Sequence, residues 1–243
     1  MKLIAIGCSF TEHYMLSRTY SSYDLDYKRW PAHLAESLDM ECINLGLAGR
    51  GNEYMLSKAF DASSIGDIGL VVVMWSEFQR MDYEKKEERG GWRSFHPHLP
   101  IQAAEEAGLM SVNKKMLEYK NPTAASLQSL RFFSWFQFMM KNIPYLQIQG
   151  VNPLPVGNSH KGYHPLVLSD REEAIKAIID SDYYDLIDED KFIGWPIFKE
   201  IGGHTVEDVL PDNCRIGEKD RHPNAIGHEI IAQKIFENYD RIY

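Results

Sequence analysis

Ser9 and His222 stand out in this 243-residue chain as a pair whose types could together perform acyl transfer. Ser9 sits in Gly7-Cys8-Ser9-Phe10-Thr11, directly after the apolar run at 3–6. A serine just past a strand-end glycine can be held at a tight turn with its hydroxyl exposed. That hydroxyl is a poor nucleophile until a neighbouring base takes its proton, and imidazole, titrating near neutrality, is suited to take it. His222 lies in Asp220-Arg221-His222-Pro223-Asn224. A carboxylate beside the ring would fix its tautomer and stabilise the imidazolium. Asp220 is nearest in sequence, with Glu218 and Asp212 as rivals. Cys8 is also a competent nucleophile, but a reactive thiol needs an electropositive, partly exposed setting. The expectation for Cys8 is a small buried residue behind the turn.

Two further segments carry polar groups that such chemistry can use. One is the loop at 44–52, containing Gly46-Leu47-Ala48-Gly49-Arg50-Gly51. It has neither the Gly-x-x-x-x-Gly-Lys-Ser pattern of a phosphate cradle nor the dinucleotide fingerprint. The other is Ser76-Glu77-Phe78-Gln79-Arg80, after the strongest apolar run. His96, His98, His160, His164 and His204 lack the spacing and companion carboxylates of a metal site, so no metal is expected.

The elements that must position these groups alternate between short apolar runs and amphipathic stretches. Strands are predicted at 3–6, 42–45, 70–75 and 145–151. Helices are predicted after Pro31, along Met55, Leu56, Ala59 and Phe60, and from 126 to 140. Another is expected from a Ser169–Glu172 capping box through Ile175, Ile178 and Ile179. The last carries Ile226, Ile230, Ile231 and Ile235 and is capped by Asn224. Such alternation implies parallel strands joined by crossover helices on both faces of a sheet, and in such sheets sites gather at the carboxyl ends of the strands. The run Phe132-Phe133-Trp135-Phe136-Phe138 reads as a helix buried all round or at an oligomer contact, and the acidic stretch at 180–190 as a solvated loop.

Composition narrows the classes. Hydrophobic residues make up 44% and charged residues 25%, ordinary for a globular chain able to bury a core. A net charge of −9 disfavours a nucleic-acid partner, which needs a basic face. Lys85, Lys86 and Arg89 are interleaved with Glu84, Glu87 and Glu88, as on a solvated surface. Three scattered cysteines suit a reducing compartment. The apolar run near the N-terminus is too short for a signal-peptide core, and no stretch approaches a membrane span, so a cytoplasmic location without a membrane partner is expected.

Gly7-Cys8-Ser9-Phe10 resembles the first block of the SGNH (GDSL-type) hydrolases, which supplies their nucleophile. Asn44-Leu45-Gly46-Leu47-Ala48-Gly49 resembles their second block, whose last glycine donates a backbone N–H to the oxyanion. His222-Pro223-Asn224, with Gly227 after it, is similar to their last block, which leads into the terminal helix. The blocks are short, but their order and separation match over nearly the whole chain, in a manner similar to phage and environmental SGNH-like sequences. The resemblance implies a single three-layer α/β/α sandwich with a mostly parallel sheet. It also implies a serine esterase that acts through an acyl-enzyme on small esters, O-acetyl groups on carbohydrate included, with no cofactor. Ser9 would be the nucleophile, His222 the base and Asp220 its orienting carboxylate. The Ser9 and Gly49 amides would bind the oxyanion.

The chain departs from that pattern twice. The family places its aspartate three residues before the histidine, where this chain has Lys219. Its third block, Gly-x-Asn-Asp, supplies an oxyanion asparagine, and this chain has Ser76, Glu77, Phe78 and Gln79 instead. Losing one such donor costs roughly 3 kcal/mol of transition-state stabilisation. Either Ser76 or Gln79 substitutes, or the site is slow, or it is not hydrolytic. The last case leaves a silent domain that binds glycan or a protein partner through insertions at about 84–125 and 153–215.

Overall fold

Leu3 and Ala5 pack against one set of helices and Ile4 and Ile6 against another, and all four are fully buried. Burial on both faces is what a central strand requires, and it explains why this run is continuously apolar rather than alternating. The computed structural model describes residues 1–13, 20, 25–84, 91–96, 121–156 and 166–243. In chain order the elements begin β1 (Lys2–Gly7), α1 (Trp30–Ser37), β2 (Glu41–Asn44), α2 (Asn52–Ser63) and β3 (Ile68–Trp75). A hairpin follows, β4 (Met81–Glu84) with β5 (Trp92–Phe95), then α3 (Pro122–Met139) and β6 (Tyr145–Gln149). Next come α4 (Leu168–Ile179), β7 (Phe192–Ile193) and the short α5 (Val206–Val209). A second hairpin, β8 (Arg215–Gly217) with β9 (Asp220–Pro223), leads into α6 (Ala225–Ile242).

Five strands form the central sheet in the order β2-β1-β3-β6-β7, every pair parallel. One face buries Tyr54 and Met55 of α2, Leu130, Phe133 and Phe136 of α3, and Ala174, Ile175 and Ile178 of α4. The other buries Trp30 and Leu34 of α1 with Ile231 and Ile235 of α6. This is the three-layer α/β/α sandwich with a parallel sheet. From β1 the chain crosses to β2 on one side, then to β3 on the other. The crevice outside the carboxyl ends of β1 and β3 is therefore a topological switch point, the usual ligand position in open sheets of this order.

Several local expectations are corrected. Ser169 and Glu172 form no capping box, because α4 starts at Leu168 after Val167, which gives no side-chain cap. The box that exists joins Thr205 and Asp208 at α5. α3 starts at Pro122, earlier than predicted, because Asn121 accepts from the Ala124 N–H. Phe133 and Phe136 are buried, but Trp135 and Phe138 are exposed, so α3 buries one face of this aromatic run and is not buried all round. Phe60 and Ile226 are exposed as well. In the acidic stretch Ile187 is buried and Tyr183 and Tyr184 pack on the core, so it is not simply a solvated loop. The segment 153–215 contains β7, the fifth strand of the sheet. Much of 84–125 lies outside the described residues, as do Lys85, Lys86, Arg89, His98, His160 and His164. Among the described residues no helix is long and apolar enough to cross a membrane.

Candidate active site

The turn after β1 is closed by the Thr11 and Glu12 N–H groups, which both donate to the Cys8 carbonyl. Cys8 itself is fully buried on the core side of the turn. Ser9 is left half-buried at the carboxyl edge of the sheet. The loop after β2 packs onto this turn: Asn44 Nδ2 donates to the Thr11 carbonyl at 2.6 Å, and Leu47 N–H donates to the Gly7 carbonyl. A Cβ on Gly46 would lie 2.8 Å from the Thr11 carbonyl carbon, so only glycine allows the two loops to approach so closely.

His222 reaches Ser9 from the other end of the chain. Its Nε2 is 2.8 Å from Ser9 Oγ, and its Nδ1 is 2.6 Å from Asp220 Oδ1. A carboxylate only accepts, so the proton sits on Nδ1, and Nε2 is free to accept from the serine hydroxyl. The His222 side chain is 31% exposed and that of Asp220 only 8%. The imidazole is thus reachable from solvent while its partner is shielded. Phe10 packs edge-on against the ring at 5.3 Å between centroids, which restricts its tilt.

The shifted aspartate has a local cause. Asp220 and His222 belong to strand β9, and a strand places residues i and i+2 on one face. Arg215 holds this segment from behind, with NH1 donating to the Arg221 carbonyl at 2.9 Å and NH2 to the Leu210 carbonyl at 3.0 Å. Of the rival carboxylates, Asp212 instead pairs with Arg221 at 2.8 Å and is 86% exposed. Glu218 is exposed in the hairpin turn.

The second loop has one unused donor. From 46 to 51, Gly46 N–H donates to Asn44 Oδ1, Leu47 to the Gly7 carbonyl and Ala48 to Glu12 Oε2. Arg50 N–H donates to the Leu47 carbonyl and Gly51 to Asp82 Oδ1. Among the described residues the Gly49 N–H alone in this run has no acceptor. Gly49 has φ of +73°, a left-handed conformation that glycine adopts without strain. Burial pushes the Glu12 carboxyl above its ordinary range, opposed by the Ala48 N–H and by Arg50 and Arg29.

Ser76 and Gln79 occupy different places. Gly7 pairs with Met74 across β1 and β3, so Ser9 and Ser76 each lie two residues beyond a matched pair. Ser76 is fully buried; its N–H donates to Asn52 Oδ1 at 2.8 Å and its carbonyl accepts from Gln149 Nε2. Its hydroxyl finds no hydrogen-bond partner among the described residues. Gln79 lines a cleft between α2 and α3 that has Asn52, Phe78 and Ser129 in its wall and in which neither Ser9 nor His222 takes part. The Gln79 amide nitrogen is likewise buried and without a partner among the described residues. Asn52 was missed in the sequence. Its Nδ2 donates to Ser129 Oγ while its Oδ1 holds the Ser76 N–H, so it ties the end of β3 to α3. Its position one residue past the glycine-rich loop was the available signal.

No family model and no curated protein matches the sequence. Solved structures do. A catalytic mutant of an acetylxylan esterase from Geobacillus stearothermophilus is 14% identical, with 98% of this chain and 93% of that one covered and a TM-score of 0.49. A protein assigned to the G-D-S-L lipolytic family from Desulfitobacterium hafniense DCB-2 is 13% identical over 98% of each chain, with a TM-score of 0.48. A member of the lipolytic protein G-D-S-L family from Veillonella parvula DSM 2008 is 15% identical over 99% of each chain, with a TM-score of 0.43.

Proposed function

We propose that this protein is a serine esterase of the SGNH type. The observation that carries the reading is the continuous relay from Ser9 Oγ through the His222 ring to Asp220, with both contacts inside hydrogen-bond distance. In the reaction, Ser9 Oγ attacks an ester carbonyl while its proton passes to His222 Nε2. The Ser9 and Gly49 N–H groups donate to the carbonyl oxygen as it becomes an oxyanion. His222 then returns the proton to the departing alcohol, leaving an acyl-enzyme on Ser9. Water attacks that ester with His222 again as base, and a carboxylic acid leaves. Asp220 stabilises the imidazolium at both stages.

The unused Gly49 N–H supports the oxyanion assignment, because its neighbours' donors are all taken within the protein. For a third donor, the Ser76 hydroxyl is better placed than Gln79, being one strand over at matching depth. It is buried, so it must rotate toward the substrate. Small esters, O-acetyl groups on carbohydrate among them, are the substrates that the sequence resemblance implies.

A fluorophosphonate probe tests this. Stoichiometric labelling of the wild type, abolished in Ser9→Ala, is expected. A folded wild type that stays unlabelled over hours would instead favour a silent glycan- or protein-binding domain. The missing third-block asparagine is the observation behind that second reading. A panel of acetyl, butyryl and longer-chain esters would then set the acyl preference.

A further inference from the structure

The loop carrying Gly49 is gripped by the arm of chain that includes the β4–β5 hairpin. Residues 49, 50 and 51 each give one main-chain group to a different side chain of that arm. His96 Nε2 lies 2.7 Å from the Gly49 carbonyl. Arg80 NH1 donates to the Arg50 carbonyl at 3.2 Å. Asp82 Oδ1 accepts the Gly51 N–H at 2.8 Å, and its Oδ2 accepts the Tyr54 N–H in the first turn of α2 at 2.9 Å. The grips are themselves braced: Arg80 pairs with Glu77 at 2.8 Å in a largely buried contact, and Ser94 donates to Asp82. From the opposite side Glu12, three residues after Ser9, takes the Ala48 N–H at 3.1 Å. The 47–48 and 49–50 peptides are therefore held from opposite sides, and the 48–49 peptide between them carries the free Gly49 N–H.

We propose that His96 and the hairpin arm act as a clamp that fixes the direction of the Gly49 N–H, making His96 a positioning residue for the oxyanion hole. The proposal rests on the esterase reading of the site. A carbonyl only accepts, so His96 carries its proton on Nε2 and donates to Gly49. Left-handed glycine has wide backbone freedom, and without an external hold the 48–49 peptide can rotate away from the reacting carbonyl. Such a loss falls on the transition state, where the oxyanion forms, and not on ground-state binding. The route by which His96 acts on the site is its hydrogen bond to the Gly49 carbonyl.

The test compares His96→Ala and His96→Gln with wild type on one soluble acetyl ester. Glutamine keeps an N–H donor at similar reach. The clamp requires His96→Ala to lose between about tenfold and a hundredfold in kcat, with KM within about twofold. It also requires His96→Gln to recover most of that loss. Amide hydrogen exchange should show faster exchange of the Ala48 and Gly51 N–H groups in His96→Ala. An unchanged kcat in His96→Ala, a change confined to KM, or no recovery in His96→Gln with native-like exchange overturns the clamp while leaving the esterase standing. A wild type that neither hydrolyses esters nor takes up the Ser9-directed probe overturns the esterase reading, and the catalytic role of the clamp with it.

Discussion

Replacing Asp220 by asparagine removes a charge while keeping an acceptor at the same atom. Asp220 Oδ1 accepts both from the His222 ring at 2.6 Å and from the His222 main-chain N–H at 3.2 Å, and an asparagine oxygen can fill both roles. On the proposed mechanism, what disappears is attraction between a carboxylate and the imidazolium formed when His222 holds the serine proton. With charge centres about 4 Å apart and an effective dielectric of about 20, that attraction is about 4 kcal/mol. At about 1.4 kcal/mol per decade, it corresponds to roughly a thousandfold in rate. Asp220→Asn is therefore expected to lower kcat/KM on a soluble ester about a thousandfold at neutral pH, with thermal stability little changed. Asp212→Asn is the control. Its carboxylate is exposed and pairs with Arg221, so it should stay within about threefold of wild type. A folded Asp220→Asn protein retaining a tenth or more of wild-type activity would refute the electrostatic role assigned to Asp220.

Ser76→Ala is expected to cost at least about tenfold in kcat and Gln79→Leu less than about threefold; the opposite ranking in steady-state kinetics would move the third donor to Gln79. Asn52→Ala leaves the buried Ser76 N–H without its acceptor, so it should destabilise by about 1–3 kcal/mol and lower Tm by several degrees in a thermal melt. His228 is buried with Arg29 at 3.2 Å from its Nε2, and desolvation, with that cation and His33 and His222 adding to it, holds its pKa well below the ordinary histidine range. Its folded pKa lies below the unfolded value of about 6.5, so below that pH the unfolded chain binds the extra proton. Stability is full above about 6.5 and falls by up to about 1.4 kcal/mol per pH unit on acidification. Urea unfolding at pH 7.5 and 5.5 should show a shallower loss in His228→Gln than in wild type, and equal losses would refute the assignment.

Those parts of the fold that depend on local pattern were legible, and those that depend on contact between distant segments were not. Residues 3–6 and 70–75 are apolar without interruption because both faces of a central strand are covered, and that signal needs no partner to be read. β7 is only two residues long, and its strand character comes from pairing with Gln147 and Ile148 of β6. No periodicity can be detected over so short a span. The Ser169–Glu172 pair fits a capping pattern, but the chain enters the helix at Val167, in the register that packs Ala174 and Ile175 on the core. Tertiary position overrode local preference there.

The site shows the same division at finer scale. Ser9 and His222 could be paired from sequence, although distant, because their chemistry is complementary and the segments around them resemble the first and last blocks of one family. Asp220 lies two residues before His222, where the family pattern has three. In extended backbone, spacing two puts both side chains on one face, so the displaced aspartate reaches Nδ1 without any compensating change. The missing asparagine is different, because the extended backbone that brings Asp220 to the ring cannot replace an absent side-chain donor. Ser76 has the position and an unclaimed hydroxyl, yet its N–H and carbonyl are locked by Asn52 and Gln149, so only its side chain can turn toward the substrate. Much then rests on how firmly the remaining donors are aimed. On the proposed reading, the grip of His96 and Asp82 on the Gly49 loop matters more than it would in a site with three fixed donors: with fewer dipoles aimed at the oxyanion, a misdirected one removes a larger share of the stabilisation.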